Sequence, residues 1–291
     1  MDILQIPAYA KVNLFLWVKG KRQDGYHEIS TLYQSVALHD KVILKKRDKG
    51  IEVEILGASL PSGSQNLVHQ AASLLHRERG FPGVKIVLHK RIPIAAGLGG
   101  GSSDAGATLL GLNYLFGLGL TPLQLARLGA RIGSDVPFCI LGGTAWGRGR
   151  GEQLDPLPPP PTLWLVLVTP LFSLKAQGVY QRWDEMAIEE KRDLSLQEEG
   201  IIKALYSGDR KKILENLHND LEIPAISLCP EIGELKTLLM SCGAERVLLS
   251  GSGPTLMGIT PTQEKALRIA SRLRRIYKRG RVIVTRTLNL L

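Results

Sequence analysis

The sequence has few cysteines, no apolar run long enough for a membrane span, no internal repeat and no low-complexity tract, and each absence removes a class of protein. Its three cysteines, Cys139, Cys229 and Cys242, are an odd number without metal-ligand or redox spacing. That argues against a disulfide framework and for a reducing compartment, the cytoplasm. The longest apolar run, Leu163 to Val168, falls far short of the about 20 residues a spanning helix needs. The amino-terminal stretch MDILQIPAYAKVNLFLWVKG is interrupted by Asp2 and Lys11, and no small-residue cleavage site follows it, so it reads as strands. Neither G-x-x-x-x-G-K-[ST] nor G-x-G-x-x-G occurs, and the H-R-D and D-F-G signatures of protein kinases are missing. His39, His69, His76, His89 and His218 show no metal spacing and receive no function.

What is present is a chain of 291 residues, 44% hydrophobic, longer than one core ordinarily supports. Two domains are expected, 1–158 and 159–291, divided at the stiff segment Leu157-Pro-Pro-Pro-Pro161. The first reads as short strands (Ile3–Ile6, Lys11–Val18, Ile29–Leu38, Lys41–Lys46, Ile51–Leu56), then a helix from a capping Asn66 to Gly80, and a strand Val84–His89. Ser102 or Ser103 can cap the next helix, which runs to Gly117. Thr121-Pro122 opens another that Gly133 closes. After a glycine-rich hairpin, GGTAWGRGRGE, the second domain follows the order β-α-β-β-α-β of a ferredoxin-like split βαβ: Leu163–Val168, helices between Ser173 and Met240, Arg246–Ser250, Thr255–Thr260, Thr262–Tyr277 and Arg281–Arg286. The net charge of +10 concentrates near the carboxyl terminus. There Arg268, Arg272, Arg275 and Arg279 share one helix face opposite Leu267, Ile269, Ala270, Leu273, Ile276 and Tyr277, which a solvated face explains without nucleic acid.

The segment IAAGLGGGSSDAGA, residues 94–107, sits in a strand-to-helix connection. Glycine loses more backbone entropy on folding than any other residue, so three in a row call for a role that missing side chains fill. Backbone N–H groups of Gly97, Gly99, Gly100 and Gly101 can approach a phosphate closely, with the positive end of the following helix aimed at the same place. A tight turn packed against the sheet is the alternative that the glycines alone leave open.

Three ordered motifs carry a resemblance. Pro93-Ile-Ala-Ala-Gly-Leu-Gly-Gly-Gly-Ser-Ser-Asp-Ala105 resembles the second motif of the GHMP kinases, Ala8-Tyr-Ala-Lys-Val-Asn-Leu14 the first, and Leu249-Ser-Gly-Ser-Gly-Pro-Thr255 the third. With Asp24-Gly-Tyr-His-Glu28, Gly133-Ser-Asp-Val-Pro137 and Asn219-Asp-Leu-Glu222 the chain resembles one branch of that superfamily. Members of the branch use ATP to phosphorylate the 2-hydroxyl of a cytidine-diphosphate-linked methylerythritol in non-mevalonate isoprenoid synthesis. Gly106, where alanine is common, and the four-proline linker depart from the pattern.

The resemblance implies an α/β two-domain fold, with a ribosomal protein S5 domain 2-like amino-terminal domain, a ferredoxin-like carboxyl-terminal domain and the active-site cleft between them. It implies ATP and Mg2+ as cofactors and places Pro93, Ala95, Gly97, Leu98, Gly99, Gly100, Gly101, Ser102 and Ser103 on the nucleotide phosphates. Asp135 becomes the catalytic aspartate, as general base or as the group that orients the hydroxyl, with Lys11 beside it. Read without the family, Asp135 is a helix N-cap and Lys11 a solvent-facing lysine on an edge strand. Asn13, Tyr26, His27 and Tyr180 would recognise the substrate, the tyrosines stacking on cytosine and His27 reading its edge; a turn pair and a core contact are the plain alternatives. Arg148 or Arg150 could reach substrate phosphates or belong to a charged turn, and Gly251-Ser252 would close over the substrate or form only a tight hairpin. The partners expected are small molecules, with no membrane, and a monomer or weak homodimer. The competing readings are a homoserine, mevalonate or sugar kinase of the same superfamily, and a basic nucleic-acid-binding protein using the Arg268–Arg281 helix.

Overall fold

The computed structural model describes residues 2–186 and 193–289. Its chain forms two compact units that interleave along the sequence. One takes the chain up to Lys11 with Leu38–Ile94 and Gly99–Gly142; the other takes Val12–Ala37, Ala95–Leu98 and the chain from Gly143 onward. Two long strands, β1 (Ile3–Lys21) and β2 (His27–Arg47), each contribute residues to both units. Ile3–Ile6 with Lys11–Val18, and Ile29–Leu38 with Lys41–Lys46, expected as separate strands, are therefore segments of these longer ones. Their punctuating lysine, tyrosine and histidine residues stay in extended backbone because paired neighbours hold it.

In the first unit, β3 (Gly50–Leu56) runs parallel to β4 (Gly83–His89), and β4 runs antiparallel to Lys41–Arg47 of β2. Four helices accompany them: α1 (Leu67–Arg79), α2 (Gly100–Leu115), α3 (Pro122–Gly129) and α4 (Val136–Leu141). Their core joins Val42, Leu44, Ile86 and Leu88 of the sheet to Ala71, Leu75, Ala105, Leu109, Leu112 and Val136 of the helices. Local chemistry sets several ends as expected. The Asn66 side chain accepts from the Val68 N–H at the start of α1, Gly80 closes that helix with a φ of 70°, and Thr121 with Gln124 forms a reciprocal capping box on α3. The expected stop at Gly133 is corrected to Gly129. A Cβ on Gly129 would lie 2.7 Å from Val136 Cγ1, so α3 ends where the chain folds back and α4 packs on it.

In the second unit, β7 (Trp164–Pro170), β9 (Arg246–Leu249), β10 (Leu256–Thr260) and β11 (Gly280–Arg286) make an antiparallel sheet in the order β11-β7-β10-β9. This is the split βαβ arrangement anticipated from the order of elements. Helices α5 (Ala176–Asp184), α6 (Ser195–Ser207), α7 (Arg210–Glu215), α8 (Glu222–Leu228) and α9 (Glu231–Ser241), with the two-residue strand β8 (His218–Asn219), fill the connection from β7 to β9. Helix α10 (Gln263–Ile276) links β10 to β11. It buries Ala266, Ile269, Ala270 and Leu273 and leaves Arg268, Arg272 and Arg275 in solvent, so its basic residues form a solvated face. Leu267 and Ile276, expected on the apolar side, are 49% and 54% exposed, because the buried stripe is narrower than the sequence pattern suggested. The same unit holds the hairpin of β5 (Thr144–Arg148) and β6 (Gln153–Pro156), antiparallel to Thr31–Gln34 of β2, and Phe15 and Leu16 of β1 run parallel to β8. Among the described residues no helix is long and apolar enough to cross a membrane.

Candidate active site

Within the first unit, Lys11 is buried, with 5% of its surface exposed, and its neighbours Ala10 and Val12 are fully buried. A solvent-facing edge lysine is thereby excluded: β1 is covered on both faces, so alternation places no residue of this stretch in water. A buried ammonium requires a partner. Its Nζ lies 3.3 Å from Asp135 Oδ2. Asp135 occupies the position before α4, yet its side chain makes no capping hydrogen bond there. The carboxylate that local sequence assigns to a helix cap is turned to Lys11 instead.

The strand-to-helix connection meets this pair through Gly99, which adopts a left-handed φ of 67° and itself holds the cap position of α2. A Cβ there would stand 2.8 Å from Lys11 Cγ, so the lysine stem passes through space that only glycine leaves empty. The expectation that Ser102 or Ser103 caps the helix is corrected: both lie in its first turn, because the left-handed glycine starts the helix earlier. Ser103 is 1% exposed, and its hydroxyl donates back to the Gly99 carbonyl at 2.9 Å. No side chain caps α2, which leaves its first N–H groups, at the positive end of the helix, without a side-chain acceptor, as an anion site would require. A Cβ on Gly100 would meet Ile92 Cγ2 at 3.0 Å, which draws the backbone close to the chain that follows β4.

The second unit holds the other half of the motif. Gly97, with φ 75°, packs so tightly that a Cβ would fall 2.1 Å from the Ser250 carbonyl oxygen, and the Ser250 hydroxyl donates to the Gly97 carbonyl at 3.0 Å. Ala95 takes a φ of 49°, the one described non-glycine residue with positive φ. The loop Gly251-Ser-Gly253 between β9 and β10 is braced by Asn219, whose amide donates to the carbonyls of Leu249 and Gly251, each at 2.8 Å. Asn219 was legible only as part of a motif; its buried amide is what shapes this turn. Asn13 is buried, and its amide donates at 2.8 Å to the Thr31 hydroxyl, which itself donates to the Phe15 carbonyl.

Tyr180 and His27 stack at 4.7 Å between ring centroids and 24° between planes, with Trp183 edge-on to His27. The imidazole Nε2 lies 2.8 Å from Asp184 Oδ1, and Lys21 Nζ donates to the other oxygen at 3.1 Å. Burial alone would raise the Asp184 pKa, but the hydrogen bonds and charges of His27 and Lys21 outweigh it and hold the carboxyl below its ordinary value. An ionised carboxylate only accepts, so His27 Nε2 carries a proton, and in the neutral ring Nδ1 is then an acceptor. Sequence reading missed Asp184. Its signal was present, since it stands four residues after Tyr180 on the same helix and therefore on the same face. Tyr26 is 54% exposed, and the Arg150 guanidinium lies 4.8 Å from its ring centroid. Arg148 instead pairs with Asp155 across the β5–β6 hairpin, so the two arginines have different neighbours.

Comparison with known proteins adds the family. Residues 66–143 match the model of the GHMP kinases N terminal domain and residues 201–279 that of the GHMP kinases C terminal domain. The chain is 51% identical over 288 residues to a 4-diphosphocytidyl-2-C-methyl-D-erythritol kinase of Moorella thermoacetica, covering 99% of this chain and all of that one. It is 44% identical to the kinase of that name from Pelotomaculum thermopropionicum, with 97% of each chain covered. A crystal structure of 4-(cytidine 5'-diphospho)-2C-methyl-D-erythritol kinase superposes with a TM-score of 0.83 at 36% identity, over 98% of this chain and 99% of that one. A homoserine kinase from Cytophaga hutchinsonii, 20% identical with a TM-score of 0.77 over 99% of this chain and 95% of that one, shares the fold.

Proposed function

The chain belongs to the GHMP kinases, and within them to the family of 4-diphosphocytidyl-2-C-methyl-D-erythritol kinases; from that premise we propose that it transfers the terminal phosphoryl group of ATP to the 2-hydroxyl of 4-diphosphocytidyl-2-C-methyl-D-erythritol. The product is the 2-phosphate with ADP, in non-mevalonate isoprenoid synthesis. The observation that carries the chemistry is the Lys11–Asp135 pair at 3.3 Å, in the unit that also holds the uncapped start of α2.

Phosphoryl transfer asks a protein chiefly for position and for charge neutralisation, because negative charge spreads over the phosphoryl oxygens in the transition state. In this reading the N–H groups opening α2 and the backbone of Gly97–Gly101 hold the triphosphate, with the Ser102 hydroxyl on phosphate oxygens. The missing Cβ atoms at Gly97, Gly99 and Gly100 make room for Ser250, Lys11 and Ile92, so these glycines shape the segment by packing while its backbone serves the phosphates. Asp135 receives or orients the attacking hydroxyl, and Lys11 neutralises charge on the group in transfer. Among the described residues no three His, Cys, Asp or Glu side chains gather to hold a metal. Magnesium bound to the nucleotide phosphates would supply further charge neutralisation, with the Ser102 hydroxyl as the side chain that would face it.

Base recognition falls to His27, Tyr26 and Tyr180. Cytosine offers an exocyclic amino donor where a uracil-like base offers an acceptor, so an acceptor at His27 Nδ1 favours cytosine, while the aromatic rings supply stacking that any base would accept. Asn13 and Gly251-Ser252 complete the substrate contacts, with Arg148 or Arg150 toward the diphosphate. A cytoplasmic location, a monomer or weak homodimer, and a division into an ATP-binding domain 1–158 and a substrate domain 159–291 belong to the same proposal.

A coupled assay of ADP release tests it. Turnover is expected with the cytidylyl methylerythritol substrate and not with homoserine or mevalonate, and CMP and CDP should compete. Indifference to both cytidine nucleotides, with turnover on another alcohol, would replace this substrate assignment.

A further inference from the structure

A buried cluster of three charged side chains joins the two ends of the glycine-rich segment and has no part in the chemistry above. Asp40 of β2 is fully buried, Lys90 follows β4, and Asp104 of α2 is 2% exposed. Lys90 Nζ donates to Asp40 Oδ2 and, at 2.6 Å, to Asp104 Oδ2. The other Asp40 oxygen accepts from the backbone N–H groups of Arg91 and Ile92, the latter at 2.8 Å. Asp40 thus fixes the chain entering the segment, and Lys90 ties that point to the helix leaving it. The cluster reaches the first residue of α2, for a Cβ on Gly100 would lie 3.4 Å from Lys90 Nζ.

Two carboxyl groups share one ammonium, so the cluster carries an excess negative charge if both are ionised. Asp104 Oδ1 is buried with no hydrogen-bond partner among the described residues. An orphan oxygen of a charged carboxylate is far more costly to bury than that of a neutral acid. Burial pushes the Asp104 pKa up to about 8, with Lys90 opposing the rise and Asp40 adding to it through its charge and a hydrogen bond. The groups that act on Asp104 are therefore Asp40 from β2 and Lys90 after β4. Cys139 of α4 also lies in range, its thiol pushed by burial to about 12 and so uncharged, with Lys11 and Asp135 acting on it in turn. The buried residues of the adjoining helices, Val68, Ala71, Ala72, Leu74 and Leu75 of α1 and Leu125, Ala126 and Gly129 of α3, do not titrate.

We propose that Lys90 is a positioning residue for nucleotide binding: held between Asp40 and Asp104, it keeps the glycine-rich segment in its anion-binding shape, and added negative charge on Asp104 weakens that site. The choice of ATP as the anion, and of CMP as the control, rests on the proposed function.

The test is direct titration of the full chain with a non-hydrolysable ATP analogue at pH 7 and pH 9, for wild type and for Asp104→Asn, which keeps the side-chain shape and cannot ionise. Wild type should bind about fivefold more weakly at pH 9, the order expected of one unit charge near a triphosphate in a partly screened site. D104N should bind equally at both pH values, and CMP, as a probe of the second unit, should show no such change in either protein. Wild-type affinity that ignores pH, or a D104N that follows wild type, overturns the inference while leaving kinase activity intact. Absence of analogue binding at either pH would overturn the phosphoryl-transfer reading and this inference with it.

Discussion

Replacing Asp135 by asparagine isolates the charge at the centre of the proposed reaction. The variant keeps the shape of the side chain and removes the carboxylate that lies 3.3 Å from a lysine only 6% exposed. Breaking a fully buried pair costs about 3–5 kcal/mol and a surface pair about 0–1. Because Asp135 is 30% exposed, the stability loss should fall between, at about 1–3 kcal/mol. A domain stabilised by about 5–15 kcal/mol remains folded at 25 °C after such a loss. The effect on turnover should be larger than this folding effect can explain. A positioned proton acceptor contributes about 10²–10⁴ in kcat, equivalent to about 2.7–5.5 kcal/mol of barrier. Steady-state ADP release, with circular dichroism to verify folding, should show that fall in kcat with the KM for ATP little changed. Since the two side chains act as one unit, Lys11→Met combined with D135N should lose little beyond the single variants. Near-normal turnover in D135N, or a defect confined to the KM for ATP, would refute the reasoning.

Three further outcomes follow from the geometry. Gly97→Ala forces a left-handed alanine, costing about 1–2 kcal/mol, and sets its Cβ against the Ser250 carbonyl; Gly101→Ala, whose Cβ meets only the Leu67 side-chain tip at 3.3 Å, should gain about 0.5–1 kcal/mol as a helix residue. Thermal melts should therefore move in opposite directions, and equal shifts would contradict the packing argument. Asp184→Ala removes the group that fixes the His27 tautomer, so calorimetric preference for CMP over UMP should narrow by about tenfold, with ATP analogue affinity unaffected; an unchanged preference would separate Asp184 from base reading. The Asp104 proton also links to stability. The native state keeps a proton that the unfolded carboxyl loses near its ordinary value of 3.8, so this group makes stability fall as pH rises from about 4 to about 8, after which its contribution levels off. The melting-temperature advantage of D104N over wild type should widen across that window, and a constant gap would show that Asp104 ionises normally.

Features set by near neighbours in the chain were legible from the sequence itself. Asn66 and Thr121 cap helices because their side chains reach N–H groups two or three residues on, and the basic face of α10 follows from helical spacing. The order of strands and helices in the second unit was enough to indicate a split βαβ sheet, since short connections leave few topologies. Lys11, Asp135, His27 and Tyr180 were found through motif resemblance, whereas their surroundings were not. Whether Asp135 caps a helix or faces Lys11 depends on β1 being covered on both sides. Whether Ser103 caps α2 depends on Gly99 taking a left-handed φ. The partners of His27 and Lys90 lie as far as 157 residues away in sequence, and no local pattern encodes such a meeting. The sequence by itself determined the motifs, the caps that open α1 and α3, and the family. Only the tertiary structure decided which charges are buried and which carboxylate each one faces, because desolvation and pairing depend on distance in space.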